Sequence, residues 1–156
     1  MVFYHASTGG VTLTGGEPLY QKEFCTGILR ACKNESINTA IETSLYCERD
    51  TLKTLLELVY LFIVDIKIFD PTLHQKYTGK TNSIIMENLR FLSERNINIL
   101  VRVPLIKGIT DYESNLLKIS ELASNLNLPG PVEFLTYNPL AGSKYQKLGI
   151  PFLIKQ

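Results

Sequence analysis

Five short runs of β-forming residues alternate along this chain with stretches that have the apolar spacing of amphipathic helices. The runs are residues 11–14, 39–41, 61–68, 99–103 and 132–136. Such alternation is typical of parallel strands joined by right-handed helical crossovers, so it predicts an α/β fold with one parallel sheet. Because the runs are almost continuously apolar, we expect both faces of the sheet to be covered.

The helical stretches between the runs begin at recognisable residues. The patterns predict helices over residues 21–33 and 50–60, and three more helices further along the chain. Side chains suited to cap these helices stand where four of them begin: Asp50, Asp70, Asn82 or Ser83, and Thr110 or Asp111.

Length, composition and charge restrict the class of protein. The chain has 156 residues, of which 45% are hydrophobic and 20% charged, and its net charge is +1. These values fit one globular domain and give no support for a nucleic-acid partner. No apolar stretch reaches membrane-spanning length and no signal pattern opens the chain, so we expect a cytoplasmic protein without a membrane partner.

The cysteines and one histidine are predicted to have no metal-binding or catalytic role. Cys25, Cys32 and Cys47 are odd in number and widely spaced, which fits neither a disulfide framework nor a compact metal site. We therefore expect buried or half-buried free thiols. His74 lies on a polar helical stretch, and we expect it to be solvated.

Residues 9–18 read Gly-Gly-Val-Thr-Leu-Thr-Gly-Gly-Glu-Pro and join the first run to the first helix. Gly15 and Gly16 have no Cβ at the end of the run, so a ligand can lie directly on the backbone there. Glu17 adds a charge at the same point, and Pro18 favours a helix start. The pattern fits a small-molecule site or an ordinary β–α turn, and spacing alone does not separate the two.

The other four runs also end in polar residues: Glu42, Thr43 and Ser44; Asp65 and Lys67; Arg102; and Thr136, Tyr137 and Asn138. Carboxyl ends of parallel strands are where such folds bind ligands. Asp65 and Lys67 are two residues apart, so they point to the same side and should pair with each other or with a ligand. Arg102 suits a carboxylate or phosphate, or it pairs with Glu42 or Asp65.

With these strand ends together, the chain resembles the radical S-adenosylmethionine (SAM) superfamily, and within it the activating enzymes of glycyl-radical enzymes such as pyruvate formate-lyase. The resemblance rests on residues 9–18, 39–44, 64–67, 101–104 and 135–138, in the family's order. It implies a partial (β/α) TIM-like barrel whose second to sixth strands are the five runs. Residues 1–156 would then form a single partial barrel domain, the C-terminal portion of a longer activating enzyme that includes a first βα unit.

The resemblance also implies roles for individual residues. The amino group of SAM would be received by Gly15, Gly16 and Glu17. The methionine carboxylate and the ribose would be surrounded by Thr43, Asp65, Lys67 and Arg102, and the adenine would lie near Asn138. A monovalent-cation site found in some members would correspond to Glu42, Thr43 and Asp65.

The activity that the resemblance implies is reductive cleavage of SAM, an oxidoreductase reaction that generates a glycyl radical on the partner enzyme. Its cofactors would be SAM and a 4Fe-4S cluster, with electrons from a donor such as flavodoxin. The CxxxCxxC motif that holds the cluster is absent, and the three cysteines lie on the wrong side of the glycine stretch. We therefore expect the cluster only in the full-length protein and expect this chain alone to be inactive. The alternatives are a non-catalytic SAM- or nucleotide-binding module and an unrelated TIM-barrel enzyme fragment.

Overall fold

The computed structural model describes residues 9–95, 97–136, 141–147, 149 and 151. Its strands form one parallel sheet in chain order, as the alternation predicts. They are β1 (Gly10–Leu13), β2 (Asn38–Thr43), β3 (Leu61–Asp65), β4 (Asn98–Pro104) and β5 (Glu133–Leu135). β3 is shorter than the predicted run, although the Ile66 N–H still donates to the Arg102 carbonyl at 2.9 Å.

Helices connect the strands in the predicted order, and one more helix follows β5. They are α1 (Lys22–Asn34), α2 (Arg49–Leu55), α3 (Pro71–Thr78), α4 (Ser83–Ser93), α5 (Glu113–Asn125) and α6 (Ala141–Lys147). A 3-10 turn, Pro18–Gln21, precedes α1. The predicted cap of α3 is confirmed, because Asp70 Oδ1 accepts the Leu73 N–H at 2.8 Å.

Two predicted helix starts are wrong because the capping side chains have other partners. α2 begins after Glu48, so Asp50 lies inside its first turn, where Oδ1 is 2.8 Å from Lys53 Nζ. α5 begins after Tyr112. The Thr110 hydroxyl instead donates to the Pro104 carbonyl and accepts the Ile106 N–H, so it fastens the loop that follows β4.

The hydrophobic core lies on one face of the sheet. Alternate strand residues are almost fully buried there and share one cluster with helix side chains: Ile41, Phe62, Val64, Val101 and Val103 with Leu29, Leu55, Leu89 and Ile119. On the other face Ala40, Leu61 and Leu100 are only half-buried, whereas Ile63 is buried. The expectation that both faces are covered is therefore met only in part by the described residues.

His74 is buried, contrary to the expectation that it would be solvated. Its Nδ1 is 2.7 Å from the Lys80 carbonyl oxygen and 2.9 Å from Thr78 Oγ1. The chain bends back over the ring because Gly79, at the end of α3, has a left-handed φ of 81°. In the part of the chain that the structure describes, no helix is both long enough and apolar enough to cross a membrane.

Candidate functional site

The turn after β1 is built on glycine. Gly15 has a φ of 139°, a conformation that residues with a side chain rarely adopt. A Cβ atom added to Gly15 or Gly16 would meet no heavy atom within 4 Å. Gly15 is therefore required for the backbone conformation, and the space over the turn is open to a ligand.

Glu17 accepts four hydrogen bonds, and three of them tie this turn to the end of β2. Its Oε1 accepts the Leu19 N–H at 3.2 Å and the Thr43 hydroxyl at 2.7 Å. Its Oε2 accepts the Ser44 N–H at 2.9 Å and the Ser44 hydroxyl at 2.6 Å. A carboxylate offers about four acceptor positions. The side chain thus braces the site and caps the 3-10 turn.

Asp65 presents a buried oxygen atom to the site. Its Oδ2 lies 3.9 Å from Lys67 Nζ, which confirms that these side chains share a side of the chain. Its Oδ1 is the one buried side-chain polar atom without a hydrogen-bond partner among the described residues. Burial raises the pKa of Asp65; Lys67 and Arg102 oppose this shift, and Glu42 and Glu17 add to it. A hydroxyl donor or a cation would satisfy Oδ1.

Arg102 is paired with Glu133, a residue outside the predicted site. It lies level with Asp65 on β3 and with Glu133 on β5. Its Nε donates to Glu133 Oε2 at 2.8 Å, so the partner is a carboxylate, but it is not Glu42 or Asp65, the two alternatives that the sequence offered. Only the strand register reveals this partner, because the two residues are far apart in the sequence.

Most of the predicted site residues line one cavity of about 150 Å³. Its lining residues are Thr14, Gly15, Gly16, Glu17, Glu42, Thr43, Ser44, Asp65 and Lys67. Arg102 lies beside Asp65 but outside this lining, and Asn138 lies outside the described residues. A larger groove of about 430 Å³ lies between α1 and α2. It contains none of the predicted site residues, and it is more open to solvent, so we assign the site to the smaller cavity.

The three residues predicted for a cation differ in what they offer. Glu42 Oε2 accepts the Thr14 hydroxyl at 2.9 Å, and Asp65 Oδ1 has no hydrogen-bond partner among the described residues. The Thr43 hydroxyl is already used, because it donates to Glu17 and accepts the Leu45 N–H at 3.0 Å. The cation site therefore stays a prediction that rests on the two carboxylates.

The described residues do not fit an iron–sulfur cluster. No three His, Cys, Asp or Glu side chains among them are grouped so as to hold a metal ion. Cys25 and Cys32 are buried and Cys47 half-buried, all as free thiols, which confirms the prediction. Burial, assisted by the charge of Glu17, raises the pKa of Cys25, and it raises that of Cys47 to about 12. These shifts disfavour the thiolate, which is the form that binds metals.

Comparison with known families decides the assignment. The sequence model of the Radical SAM superfamily matches residues 2–118. The chain belongs to the radical SAM superfamily. Membership identifies it with a family of enzymes whose cofactors are SAM and a 4Fe-4S cluster. The alternative of an unrelated TIM-barrel fragment is thereby excluded.

The radical SAM chain is similar to several activating enzymes. It is 38% identical to the choline trimethylamine-lyase activating enzyme of Oleidesulfovibrio alaskensis over 98% of this chain and 50% of that protein. It is 35% identical to the pyruvate formate-lyase-activating enzyme of Staphylococcus epidermidis over 98% of this chain and 63% of that protein. The chain spans about half the length of most of the curated relatives it matches.

A solved structure supports the same fold. The crystal structure of a domain of pyruvate-formate lyase-activating enzyme from Bacteroides vulgatus is 30% identical and superimposes with a TM-score of 0.75, covering 90% of this chain and 93% of that one. The predicted partial TIM-like barrel of the radical SAM type is thus confirmed.

Proposed function

We propose that this radical SAM chain is the SAM-binding portion of an activating enzyme that generates a glycyl radical on a partner enzyme by reductive cleavage of SAM. The observation that carries the proposal is the cavity at the strand ends, where an open glycine turn faces a buried carboxylate oxygen without a partner. Similarity to activating enzymes over 92–98% of the chain supports it.

In this proposal the methionine end of SAM lies on the glycine turn. The backbone at Gly15 and Gly16 receives the amino group, and the negative charge of Glu17 favours it although the carboxylate is already hydrogen-bonded. Lys67 and Arg102 supply positive charge for the methionine carboxylate. Because Arg102 uses its Nε to bind Glu133, the terminal nitrogens of its guanidinium are the atoms for this role.

Asp65 provides the remaining contact. Its Oδ1 suits a ribose hydroxyl, which would donate to it, or a monovalent cation that Glu42 would help to hold. If a monovalent cation binds to Asp65, added potassium should raise the affinity for SAM. If a ribose hydroxyl binds there, added potassium should not raise it. Asn138 is proposed to lie near the adenine.

Partners and location belong to the whole protein. We propose a glycyl-radical enzyme such as a pyruvate formate-lyase as partner, an electron donor such as flavodoxin, and a cytoplasmic location without nucleic-acid or membrane partners. The names of the relatives support the first of these, and the net charge of +1 is consistent with the last. The 4Fe-4S cluster supplies the electron for SAM cleavage in this family. Because the described residues do not fit it, this chain alone is proposed to bind SAM without cleaving it.

Isothermal titration calorimetry of the chain with SAM tests the proposal. Asp65→Asn should weaken binding about tenfold or more, since it removes a charged acceptor from the cavity. The matched control is Asp50→Asn, because Asp50 is exposed and lies outside the cavity. Absence of binding by the unaltered chain, or equal losses in both variants, would contradict the proposal.

A non-catalytic SAM-binding module is the second candidate, favoured by the lack of a cluster site among the described residues. Anaerobic reconstitution with iron and sulfide separates the two functions. A full-length activating enzyme containing this chain should bind about four irons and release 5′-deoxyadenosine when reduced with SAM. A full-length protein that binds SAM but takes up no iron would support the module instead.

A further inference from the structure

Asn88 is a buried side chain on α4 for which the proposed function gives no role. It is 1% exposed. Its Nδ2 donates to the carbonyls of Leu45 at 3.0 Å and Cys47 at 2.9 Å, and its Oδ1 accepts from Arg49 Nε at 2.8 Å. Leu45 and Cys47 lie just after β2, and Arg49 is the first residue of α2. One helical side chain therefore fastens the segment that follows this strand.

The fastened segment, residues 44–47, has a backbone conformation that needs support. Leu45 is fully buried and has a φ of 60°, in the left-handed region that disfavours residues with a side chain. Its N–H donates to Thr43 Oγ1 at 3.0 Å, and its carbonyl also accepts the Cys47 N–H at 2.9 Å. Such a conformation persists only where surrounding contacts hold it.

Ser44 is the residue that this conformation delivers to the site. Both its N–H and its hydroxyl donate to Glu17 Oε2, at 2.9 Å and 2.6 Å. A continuous series of contacts thus runs from Asn88 through the Leu45 carbonyl to Ser44 and Glu17. It ends at the glycine turn that begins with Gly15.

The next loop is fastened in the same way. Asn115 on α5 is 9% exposed. Its Nδ2 donates to the carbonyls of Lys67 at 3.0 Å and Thr110 at 2.9 Å, and its Oδ1 accepts the Phe69 N–H at 2.8 Å. Lys67 is the cationic residue of the cavity. Two successive strand-end loops that carry site residues are therefore each held by a buried helical asparagine.

We propose that Asn88 is a positioning residue for the SAM site, because it holds segment 44–47 in the conformation that braces Glu17 and the glycine turn. This inference rests on the proposed function for the identity of the ligand. It predicts that Asn88 affects the methionine end of SAM and leaves the adenosine end unaffected.

Amide hydrogen exchange tests the positioning without any ligand. In Asn88→Ala, the Ser44 amide should exchange at least about tenfold faster relative to the Val64 amide in β3, because local opening no longer requires breaking the Asn88 contacts. The control is Leu92→Ala, one turn further along α4 and fully buried in the core. It should change both amides by the same factor. Asn88→Ser and Leu92→Val serve if either alanine variant fails to fold. Parallel changes in the Asn88 variant would overturn the inference.

Ligand binding separates positioning from general loss of stability. Asn88→Ala should weaken S-adenosylhomocysteine by about tenfold or more, and 5′-methylthioadenosine, which lacks the amino acid group, by less than about twofold. Leu92→Ala should affect the two ligands equally. Equal losses for both ligands in the Asn88 variant, or no loss, would overturn the inference. If the unaltered chain binds neither ligand, the proposed function fails, and the exchange of Ser44 still decides the role of Asn88.

Discussion

Replacing Glu17 with glutamine tests whether its carboxylate braces the turn after β1 against the end of β2. The substitution keeps the size and shape of the side chain but replaces one acceptor oxygen with an NH₂ group. In either orientation, that NH₂ faces one backbone N–H and one hydroxyl. The hydroxyl can rotate to accept, but the backbone N–H of Leu19 or Ser44 cannot.

The loss of stability follows from the bonds that are broken. One hydrogen bond to a charged group disappears, which costs about 1.5–3 kcal/mol, and the remaining bonds lose their charge assistance. Because the bonds are part-buried, we expect Glu17→Gln to lower the free energy of unfolding by about 2 kcal/mol. For a domain of this size, that corresponds to a fall in Tm of about 4–8 °C.

Urea unfolding followed by circular dichroism measures the effect. The control is Glu23→Gln, since the Glu23 side chain is 83% exposed and lies 3.9 Å from Lys22 Nζ. Exposed ion pairs of this kind contribute little, so the control should stay within about 0.5 kcal/mol of the unaltered chain. If Glu17→Gln were as stable as Glu23→Gln, the bracing role of the carboxylate would be refuted.

Three further predictions concern Asp65, Gly10 and Cys47. Because burial raises the folded-state pKa of Asp65, its ionised form destabilises the fold above that pKa. Asp65→Asn should therefore raise stability at pH 7 by about 1 kcal/mol, and the gain should shrink as pH falls toward the ordinary carboxyl range; a constant gain in urea titrations would contradict this. In thermal melts, Gly10→Ala should destabilise the fold, because the new Cβ would lie 2.2 Å from the Asn38 carbonyl oxygen. Gly27→Ala should stabilise the fold by up to about 1 kcal/mol, because Gly27 lies on α1 with open space around it. Cys47, with a pKa of about 12, should react with iodoacetamide at pH 8 at least about 100-fold more slowly than after unfolding, and mass spectrometry would show an equal rate if this were wrong.

The sequence predicts the sheet better than it predicts the bracing of the site. Strand and helix periodicity are local signals, so the parallel sheet is predicted from the sequence alone. The polar residues at the strand ends, such as Asp65 and Lys67, are also visible in the sequence. The pairing of Arg102 with Glu133 depends on the register of two strands, which no local pattern contains. The role of Asn88 is hidden for the same reason, since its partners lie about 40 residues earlier in the chain.

Local competition explains the smaller errors. Asp50 has the right residue type for a cap, but it pairs with Lys53 inside the first turn of α2. Thr110 has the right type as well, but its hydroxyl fastens the loop after β4. Capping residues have several backbone and side-chain partners within reach, and the tertiary structure selects among them.

Nuclear magnetic resonance of the ¹⁵N-labelled chain during titration with SAM tests most directly whether the strand-end cavity binds this ligand. If SAM binds in this cavity, the amide signals of Gly15, Gly16 and Ser44 should shift together as SAM is added. The signals of Gly27 and Thr51, in the larger groove between α1 and α2, should stay in place. Shifts confined to that groove, or no shifts at the glycine turn at saturating SAM, would show that SAM does not bind in the strand-end cavity.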